Sequence, residues 1–294
     1  MRIGIFTHYF PYRAAETARR IAAHGFATVQ LNLEFDDWRF VPGATTAADC
    51  TALHDTFRRQ GLAVSAIAAY VNPLAPDLAR RAANLARLRA IVRHAPALGS
   101  SFVVTETGSF HPTDDWAPHP NNGAPAALDE LVETIAPLVA FARDEGVALL
   151  VEPSVGTVVD TAAKARALLD AVDRAALGLV ADPANLIDGS NLDRAAAVID
   201  EFFALVGGAI RLGHAKDYRR VDGEARERHH HVTDPALYGG VEYPAPGLGA
   251  LDYDRYLRHL ALSAPAADLI IEHVHEADVA RAKAFLDSRS RFGR

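Results

Sequence analysis

Eight short apolar runs, rich in Val, Ile and Leu, punctuate this chain of 294 residues, with longer stretches between them. They fall at residues 2–6, 28–33, 63–69, 101–105, 147–151, 177–181, 209–213 and 269–271. The intervening stretches, such as 77–98 and 126–145, are rich in Ala, Leu and Arg. Their apolar residues recur three and four apart, the period of a helix with one buried face. Gly25, Gly61, Gly99 and Gly146 each stand just before the next run, where a left-handed residue is wanted to end a helix. Strands that alternate with helices pair in parallel through right-handed crossovers. Eight such units predict a closed (β/α)8 TIM barrel, with residues 1–294 as a single domain. No Gly-x-Gly-x-x-Gly follows the first run, so an open dinucleotide-binding sheet has no support.

Composition fits this reading and narrows the partners. An α/β barrel uses about 250 residues as one domain, and half of this chain is apolar. A net charge of -7 gives no general attraction to nucleic acid or to an acidic membrane face. Cys50 is the only cysteine, which excludes an internal disulfide and a multi-cysteine zinc site and fits a reducing cytoplasm. The N-terminus turns polar at Thr7 and His8, and no apolar run reaches the roughly 20 residues of a membrane span. A soluble, cytoplasmic protein is expected, with association into a homo-oligomer left open.

The acids and histidines fall where a barrel gathers its chemistry. Glu152, Asp182, His214 and Glu272 each finish an apolar run, on what the count makes four successive strands. Closing the barrel brings those C-terminal strand ends together around its axis. A single acid there often serves only as a helix cap, as Asp182 before Pro183 would. Four together, each after a run too apolar to tolerate an unpaired charge, point to a metal site. Three carboxylates and an imidazole suit Mn²⁺ first, or Mg²⁺ or Co²⁺, better than structural zinc.

Other residues are weaker candidates. His8 follows the first strand and faces the site as a substrate contact or a plain hydrogen-bond partner. Glu34 and Glu106 end other strands and are candidate substrate contacts. Asp217 is placed to orient the His214 imidazole, and Lys216 to form a structural ion pair. Trp38 and Trp116 could stack on a sugar or anchor their own loops, and Cys50 reads as inert core. Two segments exceed what a barrel needs: 108–125 carries Trp116, and 218–250 carries His229, His230 and His231. Both follow strands and so lie on the catalytic face. The second, with its Gly239-Gly240 pair and Arg220 at its root, is expected to form a mobile lid.

Several pieces, in order and spacing, resemble the xylose-isomerase-like barrel superfamily and its sugar phosphate isomerase/epimerase members. They are Val151-Glu152-Pro153, Asp182-Pro183-Ala184-Asn185-Leu186, His214-Ala215-Lys216-Asp217, Pro246-Gly247-Leu248-Gly249 and Ile271-Glu272-His273. The resemblance implies one divalent ion held by Glu152, Asp182, His214 and Glu272, with the two glutamates also acting as acid and base. It implies a substrate role for the Asn185 position, where ketose 3-epimerases of the family carry a histidine, and for Arg220, which matches the family's arginine six residues after the metal histidine. A substrate-binding glutamate of those epimerases is replaced here by Val158. The related apurinic endonucleases use extra histidines, one at the Asn185 position and others at the third and fourth strand ends. Tyr70 and Glu106 stand at those two ends here, so DNA repair is not implied.

Such a site would let one carboxylate remove a proton next to a carbonyl while the ion stabilises the enediolate left behind. Return of the proton to the opposite face gives epimerisation, and return to the adjacent carbon gives aldose–ketose isomerisation. Loss of a β-hydroxyl instead gives dehydration, as in inosose or dehydroshikimate dehydratases of the superfamily. Isomerase or epimerase on a small sugar-like molecule is the first expectation and a metal-dependent lyase the second. A non-catalytic sugar-binding barrel is the alternative of another class.

Overall fold

The computed structural model describes residues 1–221 and 240–289. Within them, eight strands close a parallel barrel in chain order. They are β1 (Ile3–Phe6), β2 (Thr28–Leu31), β3 (Ala63–Ala68), β4 (Phe102–Glu106), β5 (Ala148–Glu152), β6 (Leu177–Ala181), β7 (Ile210–Ala215) and β8 (Asp268–Ile271). Closure is direct: Ile3 of β1 stands against Leu269 of β8. Eight helices lie between and after the strands: α1 (Ala14–Ala23), α2 (Ala47–Arg58), α3 (Leu78–His94), α4 (Pro125–Asp144), α5 (Ala162–Ala171), α6 (Ala195–Val206), α7 (Tyr253–Ser263) and α8 (Val279–Arg289). Every strand begins and ends within two residues of the run that predicted it. The four helix-ending glycines all have positive φ. At Gly99, with φ 88°, an added Cβ would also fall 2.4 Å from His54 Nε2, so glycine is required twice over.

Two apolar layers result from the period-two alternation of the strands. Outward-facing residues such as Ile5, Val29, Val103, Leu149 and Leu269 pack against the helices in one large core. Inward-facing residues form a small separate cluster of Phe6, Ala66, Ala68, Val104, Leu150, Val180, Leu212 and Ile270. One step further along each strand, two residues on, the same inward face becomes polar. Leu150 is followed by Glu152, Val180 by Asp182, Leu212 by His214 and Ile270 by Glu272. Ala68 and Val104 are followed in the same way by Tyr70 and Glu106. The floor of the site is therefore the apolar plug of the barrel, and its ligands are the next layer up.

Segment 108–125 is folded onto the face at the C-terminal strand ends by its own polar side chains. Asn122 accepts from Phe110 N at 2.9 Å and donates to Gly156 O at 2.9 Å, while Ser109 Oγ donates to Ala117 O at 2.6 Å. This brings Trp116 beside Tyr70, with ring centroids 5.6 Å apart. Of segment 218–250, Arg219–Arg220 pairs antiparallel with Val241–Glu242. Residues 222–239 of the expected lid, with its three histidines, lie outside the described residues. Among the described residues, no helix is long and apolar enough to cross a membrane.

Trp116 approaches so closely only because position 156 has no side chain: a Cβ there would lie 1.9 Å from Trp116 O. Gly156→Ala should force this loop outward at a cost of about 1–3 kcal/mol, worth about 2–4 °C of Tm for each kcal/mol in a domain of this size. Tryptophan fluorescence and a thermal melt check this; an unchanged Tm and emission spectrum would contradict the packing described.

Candidate metal centre

The ends of β5, β6, β7 and β8 bring Glu152, Asp182, His214 and Glu272 into one buried cluster, with one ligand atom of each within 4.8 Å of all the others. His214 Nδ1 lies 3.2 Å from Glu152 Oε1 and 3.5 Å from Glu272 Oε2. The other face of the imidazole is fixed by Gln30 of β2, whose Oε1 stands 2.8 Å from Nε2. Gln30 reaches Tyr70 OH at 3.2 Å, and Tyr70 OH donates to Glu152 Oε2 at 2.7 Å. Asn185 Nδ2 donates to the other oxygen of Glu152 at 2.6 Å. Asp182 Oδ1 accepts from Ala184 N at 3.0 Å and from Asn185 N at 3.4 Å. From outside the barrel, Tyr256 of α7 donates to the carbonyls of Ala181 and His214, pinning the two middle strand ends.

This donor set fits a divalent cation. Among the described residues, Asp182 Oδ2 is buried without a hydrogen-bond partner, with the Lys216 ammonium 4.0 Å away. Leaving a carboxylate oxygen so placed is costly unless a cation completes it. The groups also show the strain of close like charges. Burial, with Glu152 and Asp182 nearby, raises Glu272 to about 8. Burial likewise lifts Asp182 to about 6, with the Lys216 ammonium opposing and Glu152 adding to the rise. Burial pulls the His214 imidazole down, but Glu272 and Glu152 outweigh it and carry it to about 9. Burial also pushes Glu152 up, yet His214, Lys216 and the Tyr70 hydroxyl together hold it below its ordinary value.

Above the cluster lies a cavity of about 310 Å³ whose wall includes Glu152, Glu272, Asn185, Lys216, Tyr70 and Trp116. His8 and Glu34 stand on the same wall, Glu34 at the outer end in an ion pair with Arg39. Tyr9, Ser154, Tyr243 and His273 complete the inner part. His273 takes a left-handed φ of 48°, an uncommon conformation for this residue type that turns the chain sharply just after Glu272.

Other expected contacts are placed elsewhere. Glu106 is buried beside Glu152, its partner across the β4–β5 register, but is not on the cavity wall. Burial, with Asp115 and Glu152 adding to it, pushes the Glu106 carboxyl well above the carboxylate range. Arg220 lies apart from the cluster, 3.7 Å from Asp193, against a second cavity of about 410 Å³. Asp217 does not orient His214. Its carboxylate accepts from the backbone N–H of Tyr218, Gly247, Gly249 and Leu251 and so ties down the loop that returns to α7. Lys216 was expected to make only an ion pair, but it lines the cavity. Cys50 is buried and burial lifts its thiol to about 11, as an inert core cysteine requires. Gln30 and Tyr70 were missed as supports, although a Gln inside an apolar strand must find a polar partner and is legible as a signal.

Protons on the ligands compete with a cation. With His214 near 9, Glu272 near 8 and Asp182 near 6, the metal-free cluster still holds protons at neutral pH. Apparent affinity for Mn²⁺ should therefore rise as pH climbs from 6 toward 9, with protons released on binding. Calorimetry in buffers of different ionisation enthalpy measures both, and a flat profile would refute the cluster as the binding site. Gln30→Leu should weaken binding by about 10–100-fold, and His214→Ala by more.

The sequence matches the xylose isomerase-like TIM barrel family over residues 18–289. No curated protein matches it in sequence. Among solved structures it is similar to a xylose isomerase-like TIM barrel protein from Mycobacterium smegmatis in complex with magnesium, with a TM-score of 0.71, 21% identity and 100% of this chain and 98% of that one covered. It is similar to a D-psicose 3-epimerase studied in the presence of D-fructose, with a TM-score of 0.69, 17% identity and 100% of both chains covered. It is also similar to the probable 3-DHS dehydratase AsbF of Bacillus anthracis, involved in petrobactin synthesis, with a TM-score of 0.67, 15% identity and 98% of this chain and 100% of that one covered. At these identities the structural likeness speaks to the fold, and the barrel, its ligand-bearing strand ends and the sequence match together establish that the chain belongs to the xylose isomerase-like TIM barrel family.

Proposed function

We propose that this protein is a divalent-metal-dependent isomerase or epimerase that acts on a small sugar-like substrate carrying a carbonyl next to a hydroxylated carbon. The observation that carries this reading is the placement of Glu152 and Glu272. Of the four cluster groups they are the two on the cavity wall, and they come from strands three apart in the barrel. A substrate laid between them meets one carboxylate on each side.

The cluster fits Mn²⁺ as its working ion, with Mg²⁺ or Co²⁺ able to replace it. Bound there, the ion supplies positive charge to offset the negative charge that develops on substrate oxygens as a proton leaves carbon. The protein supplies the rest. Tyr70 and Asn185 fix both oxygens of Glu152, so its carboxylate cannot rotate away from the cavity. Glu272 comes from the end of β8, directly before the left-handed His273, and also lines the cavity. One carboxylate takes the proton and the other returns one to the opposite face, which inverts the carbon, or to the neighbouring carbon, which moves the carbonyl. Trp116, Tyr9 and Tyr243 give the cavity aromatic faces against which the C–H groups of a sugar ring can lie. At about 310 Å³ the cavity is at the small end of ligand pockets, which run about 300–1,000 Å³.

The Mn²⁺-loaded protein in heavy water, with ketoses, keto-inositols and 3-dehydroshikimate as probes, should place deuterium on the carbon next to the carbonyl. Glu272→Gln should cut turnover by about 10²-fold or more, the scale of lost general acid–base catalysis. Metal content must be measured in parallel, since the variant also alters a ligand. Near-parental turnover at full metal occupancy would sink the role given to Glu272. Deuterium-free product would point to hydride shift, and deuterated product that has lost water would move the reaction to the lyases.

A further inference from the structure

Lys216 follows β7 directly and is buried, yet among the described residues no carboxylate closes off its ammonium with a hydrogen bond. One hydrogen goes to Asn185 Oδ1. The face of Tyr243 lies 4.3 Å away, close enough for a cation–π contact. Asp182 Oδ2 is 4.0 Å away, beyond hydrogen-bond reach, and is itself a ligand of the candidate metal centre. An ammonium carries three donors, so this arrangement leaves donor capacity on the side where Lys216 lines the cavity. A buried cation kept this close to a catalytic cluster needs a reason, because burial without full pairing is costly.

Charge accounting supplies the reason. The three carboxylates of the cluster exceed a divalent ion by one negative charge, and the Lys216 ammonium makes up that difference. A centre balanced in this way can accept a neutral keto sugar. It then places a donor beside the oxygen that becomes negative when carbon loses its proton.

We propose that Lys216 is a catalytic residue that contacts the substrate, donating a hydrogen bond to the carbonyl-derived oxygen as negative charge develops on it. This rests on the isomerase or epimerase reading above. In the step concerned, the C–H bond breaks, the proton passes to Glu152 or Glu272, and the electron pair moves through the new C–C double bond onto that oxygen. Lys216 keeps its own protons throughout and acts as a fixed donor. Asn185 holds it in place, which gives that residue a positioning role at both Glu152 and Lys216.

The test uses Lys216→Met in the full-length, Mn²⁺-loaded protein, with acetohydroxamate as a probe whose oxyanion mimics the developing charge whatever the true substrate is. Calorimetry should show Mn²⁺ affinity within about 3-fold of the parent while acetohydroxamate binds at least about 10-fold more weakly. Exchange of substrate hydrogen with solvent should fall by about 10²–10³-fold, the scale of losing one oxyanion donor. A thermal melt monitors folding. If the methionine variant does not fold, Lys216→Gln takes its place and should give an intermediate loss. Equal acetohydroxamate affinity in parent and variant, or no binding to the loaded parent, overturns the proposal. So does a variant whose defect vanishes at saturating Mn²⁺, which would make Lys216 only an ion-pair partner of Asp182. Failure of the parent either to convert any sugar probe or to exchange its hydrogen would sink the isomerase reading and leave the acetohydroxamate result to judge Lys216 on its own.

Discussion

The three carboxylates of Glu152, Asp182 and Glu272, gathered with the His214 imidazole within 4.8 Å of one another, repel each other whenever they are ionised. Each carboxylate pair costs about 3–4 kcal/mol at that distance if the effective dielectric is about 20. The fold accepts this cost at one layer of the barrel and offsets it with fixed donors. Backbone N–H groups of residues 184 and 185 hold Asp182, Tyr70 and Asn185 hold Glu152, and Gln30 holds His214. What these donors leave uncovered is Asp182 Oδ2 and the space between the four groups. The repulsion among the carboxylates would favour a cation at this point, and the supports keep the four side chains from relaxing apart.

The geometry that concentrates the charge comes from the strand period. Because side chains two apart share a face, each inward apolar residue fixes the direction of the polar one that follows it. Leu150, Val180, Leu212 and Ile270 sit in the closed plug of the barrel, where a register slip of one residue would turn them outward and carry the ligands with them. The same packing that makes the plug dry therefore aims Glu152, Asp182, His214 and Glu272 to within a few ångströms of one point.

This explains what was legible in the sequence and what was not. The eight strands could be read because parallel strands covered on both faces are near-continuous apolar runs, and the last four finish at or beside Glu152, Asp182, His214 and Glu272. The four cluster residues were legible for the same reason. For Gln30 the polar interruption of an apolar run could be read but its partners could not, because they come from β7 and from Tyr70, two residues beyond β3, far away in the chain. Asp217 misled because proximity to His214 in sequence suggested proximity of side chains. Successive residues leaving a strand point in different directions, and its carboxylate turned instead to four backbone N–H groups of the following loop. Arg220 matched a spacing, but a spacing counted beyond the end of a strand passes through a loop whose path the sequence does not dictate.

The same distinction separates the parts of the site by how they are held. Ligand positions belong to strands and are over-determined by the plug beneath them. The cavity walls belong to loops and depend on single local features: the missing Cβ at Gly156 admits Trp116, and the Asp217 carboxylate fixes the loop that carries Gly247 and Gly249. Changes in the walls can alter the shape offered to a substrate without disturbing the ligands, whereas a change in the plug would disturb all of them at once. Lys216 and Asn185 stand at the boundary, each one residue type away from a different charge balance, and each touches both the cluster and the cavity. Under the proposed function, proton transfer between two carboxylates would serve many sugar-like substrates alike. Which of them is accepted would then be decided at this boundary and in the loop walls above it, where the chain has the freedom to differ.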